Sequence, residues 1–156
     1  MAKPDIRKVI GEYLEEAKLM CLATSKDNKP WACTVWYVHD EDWNLYFISQ
    51  KARRHSIELK ENPNVAGTIV LPHVKGSGEK VRGLQFEGTA RACKLTELMK
   101  AHKLYISKYE LAEDIPKLEL LKLSLSYTYY KITPSVIVLF DEINFPDEPR
   151  QELVLK

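Results

Sequence analysis

Gly83-Leu84-Gln85-Phe86-Glu87-Gly88-Thr89-Ala90-Arg91-Ala92-Cys93-Lys94 is the stretch from which the fold is read. Its even positions carry Leu84, Phe86, Gly88, Ala90 and Ala92. Its odd positions carry Gln85, Glu87, Thr89 and Arg91. Successive strand residues point to opposite faces, so this alternation predicts a half-buried antiparallel strand with one apolar and one polar face.

The same reading extends outward. Upstream, Val65 to Leu71 predicts a strand, joined to the first by a loop over Pro72 to Lys80 that contains Gly76-Ser77-Gly78. Leu19–Thr24, Trp31–Val38 and Trp43–Ile48 predict a three-stranded antiparallel meander over residues 19–49. Its turns are Lys26-Asp27-Asn28-Lys29-Pro30 and His39 to Asp42. A short helix over Arg53 to Lys60 stops before Asn62-Pro63. At the N-terminus Pro4 and Asp5 open an amphipathic helix over 4–17, with Ile6, Val9, Ile10, Tyr13, Leu14 and Ala17 on one stripe. Downstream, Thr96 caps a helix carrying Leu98, Met99, His102, Tyr105, Ile106 and Tyr109. Residues 111–126 read equally as helix or strand through Lys117 to Leu123. Tyr127–Ile132 and Val136–Phe140 predict two strands broken at Pro134, and the polar tail from Asp141 holds a weak final strand.

The fold class is therefore mainly β with flanking helices. Six or seven short antiparallel strands favour a closed barrel, because closure removes sticky edges. Exposed-looking aromatics suggest a dimer surface.

The chain has 156 residues, which makes residues 1–156 one domain. Apolar residues make up 45% and charged residues 29%, a globular balance. With 23 Lys plus Arg against 22 Asp plus Glu, the net charge of +1 argues against a nucleic-acid binder. No apolar run approaches the roughly 18 residues of a membrane span. Met1 to Ile10 has no apolar signal core, so a cytoplasmic location is expected. Three cysteines, Cys21, Cys33 and Cys93, form no Cys-x-x-Cys pair, which argues against a disulfide scaffold or structural zinc. Cys21 and Cys33 lie opposite one another if the hairpin centres on Asp27. Two buried reduced thiols are the simpler reading.

Ser49-Gln50-Lys51-Ala52-Arg53-Arg54-His55 ends a strand and opens a helix. A helix start offers unpaired N–H groups and a partial positive charge. Gathering Ser49, Lys51, Arg53, Arg54 and His55 there makes an anion site suited to a phosphate monoester. The bland alternative is a solvated basic turn. Yet cations at a helix start oppose the dipole, which favours an anionic guest. Gly76-Ser77-Gly78-Glu79-Lys80 lacks phosphate-loop spacing and precedes a strand, so it reads as a hairpin connection. Gln85 stands out on its strand's polar face, because an amide can both donate to and accept from a heterocycle edge. His39, His55, His73 and His102 show no metal spacing.

The order of motifs resembles the flavin-binding split barrels of the pyridoxamine 5′-phosphate oxidase family. Leu22-Ala23-Thr24-Ser25 and Lys29 to Val38 are similar to that family's first hairpin. Leu45 to Ser49, Arg53-Arg54-His55-Ser56 and Asn62-Pro63-Asn64-Val65-Ala66 resemble its phosphate segment. Arg82-Gly83-x-Gln85-Phe86-x-Gly88 is similar to the later barrel strand, closest to a small branch rather than to the oxidase proper. Tyr130-x-Ile132-x-Pro134 and Phe145 to Arg150 resemble the final strand and tail.

The resemblance implies a six-stranded antiparallel split β-barrel, a homodimer, FMN at the dimer interface and a small-molecule substrate. It implies that Ser49, Arg53, Arg54 and His55 hold the FMN phosphate, that Cys33, Thr34, Val35 and Trp36 lie along the flavin, and that Gln85 approaches the ring edge from its own or the partner chain. The resulting expectation is an FMN-dependent oxidoreductase. The alternative is a barrel that holds flavin, deazaflavin or haem without turnover. Cys33 and Val38 stand where the oxidase has a strand-two Arg and a distal Lys, and the oxidase's C-terminal Arg-Leu signature is missing. Activity on pyridoxamine phosphate is therefore not implied.

Overall fold

A computed structural model describes residues 4–110 and 125–155. The ambiguous run Lys117 to Leu123 lies outside the described residues. Among the described residues, three helices and eight strands follow in the order α1 (Ile6–Glu16), β1 (Leu19–Lys26), β2 (Lys29–Trp36), β3 (Val38–His39), β4 (Leu45–Gln50), α2 (Arg54–Glu61), β5 (Asn64–Val70), β6 (Arg82–Ala92), α3 (Leu95–Tyr109), β7 (Tyr127–Asp141) and β8 (Arg150–Val154). The architecture is mainly β, as expected. The strand not foreseen is the two-residue β3, while β8 is the weak final strand expected in the tail.

The sheet order is β2-β1-β5-β6-β7-β4-β3, with β8 added to β7. All pairings are antiparallel. β2 and β3 occupy the two ends of this order, yet only Tyr37 separates them. Trp36 pairs with Leu19 at one end, and Val38 pairs with Tyr46 at the other. Laid flat, those ends would be roughly 29 Å apart at ladder spacing, whereas residues two apart in the chain span about 7 Å at most. The sheet therefore curls until its edges meet.

That closure corrects the expected meander. Trp31–Val38 is not one middle strand; it breaks at Tyr37, and its two parts pair on opposite edges. The β1–β2 turn holds Asp27 and Asn28 at φ 52 and 58, the paired left-handed residues of a type I′ hairpin. Because the loop has two residues, Cys21 faces Thr34 and Cys33 faces Leu22. The two thiols thus point to opposite sheet faces, and all three cysteines are free. β4 begins two residues after the expected Trp43, because Trp43 takes φ 61 in the preceding turn. There Asp40 Oδ1 accepts the N–H groups of Asp42 and Asn44.

The expected break at Pro134 is absent. β7 runs unbroken past it through a bulge: Gly88 faces Pro134 while Glu87 faces Val136. Pro134 falls between the part of β7 that pairs with β4 and the part that pairs with β8, so its missing N–H costs no rung there. Thr96 is not the cap of α3 either. Lys94 occupies that place, and the Glu97 carboxylate accepts its N–H at 2.8 Å. Glu97 also takes both ends of the Arg91 guanidinium, which holds its carboxyl down at about 2.

Ile10 and Leu14 of α1 pack with Met20, Leu22, Phe47, Ile69, Ile132 and Leu139 in the main core. A smaller cluster under α3 joins Leu98, Ala101 and Tyr105 to Val38, Tyr46 and Tyr129. The end of α3 clasps the barrel's closing residues. Tyr105 donates to the Trp36 carbonyl at 2.6 Å, and Tyr109 donates to that of Tyr37. Lys108 Nζ donates to the carbonyls of Leu14 and Ala17, both at 2.8 Å, and so completes the end of α1. Burial pulls the Lys108 amine down to about 8.

Candidate functional site

Two features of the fold stand out as places for a ligand. The first is the start of α2. β4 ends at Gln50, and Arg53 takes extended backbone angles as the residue before the helix. The first intrahelical bond runs from Ile57 N–H to Arg53 O at 3.0 Å. The N–H groups of Arg54, His55 and Ser56 therefore have no acceptor among the described residues, and no side chain caps them.

The structure brings Ser49, Arg53 and His55 together at this helix start, whereas the Arg54 side chain turns to Glu58 and Trp31. Ser49 and His55 partner each other, with Oγ 2.7 Å from Nε2. Burial and then the Arg53 charge push the His55 ring below its ordinary value, so at neutral pH it is an uncharged hydrogen-bonding group. Arg53 has no carboxylate partner among the described residues. Arg54 is held from behind: its Nε donates to Glu58 Oε1 at 2.7 Å, and its guanidinium carbon lies 4.4 Å from the Trp31 ring centre. Glu58 is buried, and Thr24 Oγ1 donates to its other oxygen at 2.5 Å. Sequence reading missed Glu58, Thr24 and Trp31. The signal for Glu58 was its i,i+4 spacing from Arg54.

The second feature is a groove of about 500 Å³ on the outer face of the sheet. Ladder register places Thr34, Cys21, Thr68, Gln85, Val138 and Glu152 in one row across β2, β1, β5, β6, β7 and β8. Ala32, Ala23, Ala66, Glu87, Val136 and Val154 form the next row. Across β1 and β5 the floor is thus built of small side chains, Cys21, Ala23, Ala66 and Thr68, which leaves room there for a flat guest.

The β2 residues divide between the two faces. Thr34 and Trp36 are exposed on the outer face, whereas Cys33 and Val35 pack against the core. Only the backbone of Cys33 and Val35 can meet a ligand lying outside. Gln85 shares the outer face with Thr34 but stands three ladder steps away, about 14 Å within one chain. Cys21, Thr68 and Ala66 lie between them; period-two reading of β1 and β5 combined with register would have found all three. Cys33 is also a poor nucleophile, because burial pushes its thiol up to about 11.

Comparison with known sequences settles the lineage. The family profile described as pyridoxamine 5′-phosphate oxidase matches residues 6–132. The chain belongs to that family. Within it, a UPF0306 protein of Pasteurella multocida is 31% identical over 105 residues, covering 67% of this chain and 69% of the relative. A UPF0306 protein of Klebsiella pneumoniae is 28% identical over 142 residues, covering 88% and 82%. Among solved structures, a heme-binding protein from Mycobacterium smegmatis superposes with a TM-score of 0.74 at 14% identity, covering 99% of this chain and 60% of that one. That likeness shows the shared split-barrel fold. No helix among the described residues is long and apolar enough to cross a membrane.

Proposed function

We propose that this member of the pyridoxamine 5′-phosphate oxidase family is a cytoplasmic, homodimeric FMN-binding protein. In this reading it acts as a flavin-dependent oxidoreductase on a small molecule. The observation that carries the proposal is the start of α2. Three backbone donors without acceptors lie there beside Arg53 and Arg54, residue types whose guanidinium forks match a phosphate monoester.

Bound there, FMN would supply the electron chemistry, exchanging a hydride with the substrate. The chain's own residues bind and orient. Arg53, Arg54 and the free N–H groups take the phosphate. The Ser49–His55 pair fixes the wall beside it. The Gln85 amide, facing the groove from this chain or its partner, donates to the edge of a ring. The outer face also supports the dimer: Leu19, Trp36, Val70 and Val154 are exposed there at 42%, 53%, 58% and 67%, an apolar rim that a second copy would cover.

The second reading is a barrel that holds flavin, deazaflavin or haem without turnover. The likeness to the mycobacterial heme-binding protein keeps haem in view. Among the described residues the groove lining includes no histidine but does include Cys21, a residue type that can also ligate haem iron. The test is the visible spectrum of the purified protein and calorimetric titration with FMN, followed by reduction with a nicotinamide donor and an acceptor. Saturable binding with turnover supports the oxidoreductase. Binding without turnover under any donor assigns the second reading, and no binding of FMN removes the cofactor.

A further inference from the structure

Glu58 is a buried carboxylate in a place that helix electrostatics do not explain. Arg54 is the first residue of α2, where a cation opposes the helix dipole. Arg at i with Glu at i+4 is also the weaker order for a helical ion pair. The pair is nevertheless made at 2.7 Å, and the Glu58 side chain is only 5% exposed. Its two oxygens are engaged by different elements, Oε2 by Thr24 of β1 and Oε1 by Arg54 of α2. Thr24 stands directly opposite Trp31 in the hairpin, and Trp31 supports the flat face of the same guanidinium. Hydrogen bonds from Thr24 and then Arg54 hold the Glu58 carboxyl below its usual range, so it stays charged.

Two groups thus grip Arg54, Glu58 at its Nε and Trp31 at its face, and neither uses the η nitrogens. Those donors have no partner among the described residues. We propose that Glu58, anchored by Thr24 and with Trp31 beside it, is the positioning residue of the anion corner. It presets the Arg54 fork for a phosphate group and neutralises part of the charge that would otherwise repel Arg53. This rests on the reading of the α2 start as an anion site. It does not depend on the identity of the phosphate's owner, FMN or another phosphomonoester.

The experiment is a double-mutant cycle on the full chain, read by NMR as the shift of the Arg54, His55 and Ser56 amide signals. Inorganic phosphate is the first probe and FMN the second. Glu58→Ala is expected to weaken binding roughly tenfold, the scale of one charge-assisted hydrogen bond, and to add nothing once Arg54→Ala is present. Glu58→Gln can keep both contacts while removing the negative charge, so it should bind phosphate at least as tightly as the wild type and lose more affinity as salt is raised. The Arg54 Nε–H signal should exchange slowly in the wild type, persist in Glu58→Gln and vanish in Glu58→Ala. Equal affinity for Glu58→Ala and wild type, additive effects of Glu58→Ala and Arg54→Ala, or no phosphate binding by the wild type would each overturn the proposal. Phosphate binding without FMN binding would leave it standing and remove only the flavin.

Discussion

Gly88 stands directly across the ladder from Pro134, and a β carbon on Gly88 would lie 2.3 Å from the Thr133 carbonyl oxygen. The atoms in the way are backbone, so the bulge that lets β7 run through a proline also demands a residue without a side chain opposite it.

Gly88→Ala should therefore destabilise the fold by about 1–3 kcal/mol, the usual cost of forcing atoms into a packed site. Gly11 in α1 has nothing within 4 Å of its would-be β carbon. Gly11→Ala should leave stability unchanged or raise it by about 0.5–1 kcal/mol through helix propensity. Urea denaturation of the two variants checks the contrast. Equal midpoints would mean that the bulge relaxes freely.

Lys108 gives a pH dependence of known sign. Its amine titrates near 8 in the fold, below the ordinary 10.5 of an exposed lysine. Between those values the unfolded chain binds the extra proton, so stability contributed at this site is smallest below pH 8 and rises as pH increases toward 10.5. A neutral amine keeps two N–H donors for the Leu14 and Ala17 carbonyls. Allowing for solvent screening, the rise should be about 1–2 kcal/mol. Lys108→Met should lack this rise. Parallel stability curves for the two proteins from neutral pH to pH 9.5 would contradict the assignment.

Arg53→Ala should weaken FMN binding by about 1.5–3 kcal/mol, because this guanidinium has no carboxylate to offset its loss. Arg54→Ala should cost at least as much, since it removes the two η donors that the Glu58 and Trp31 contacts leave free for the phosphate. Calorimetric titration decides the order, and an unchanged affinity for Arg53→Ala would remove that residue from the corner.

Alkylation of the native protein at pH 8 should label Cys21 at most. Burial raises the Cys33 and Cys93 thiols to about 11 and about 12, which leaves little thiolate to react. Peptide mass mapping after iodoacetamide treatment checks this, and rapid labelling of Cys93 would show that the α3 cluster opens.

Much of this was legible in the sequence because strand periodicity is local. The alternation of Leu84, Phe86 and Ala90 against Gln85, Glu87 and Arg91 describes β6 as it stands, with the first three buried and the last three exposed. The helix over 4–17 and the basic helix start at Arg53 hold for the same reason. What the chain alone did not disclose depends on partners far away in sequence. Pro134 reads as a break until Gly88 is placed opposite it. Cys33 and Thr34 look equivalent until the register of β1 shows that they face opposite ways. Arg54 reads as a free cation until Thr24 and Glu58, 34 residues apart, meet beside it.

The single residue Tyr37 makes the sheet a hoop. Cleaving the peptide there, as in a circular permutant with new termini at that point, would leave every strand with its neighbour yet convert the hoop to an open ribbon with two raw margins. Such a protein would keep every ladder and lose the covalent tie between its two end strands, so the margins at β2 and β3 would be freer to pair with other chains.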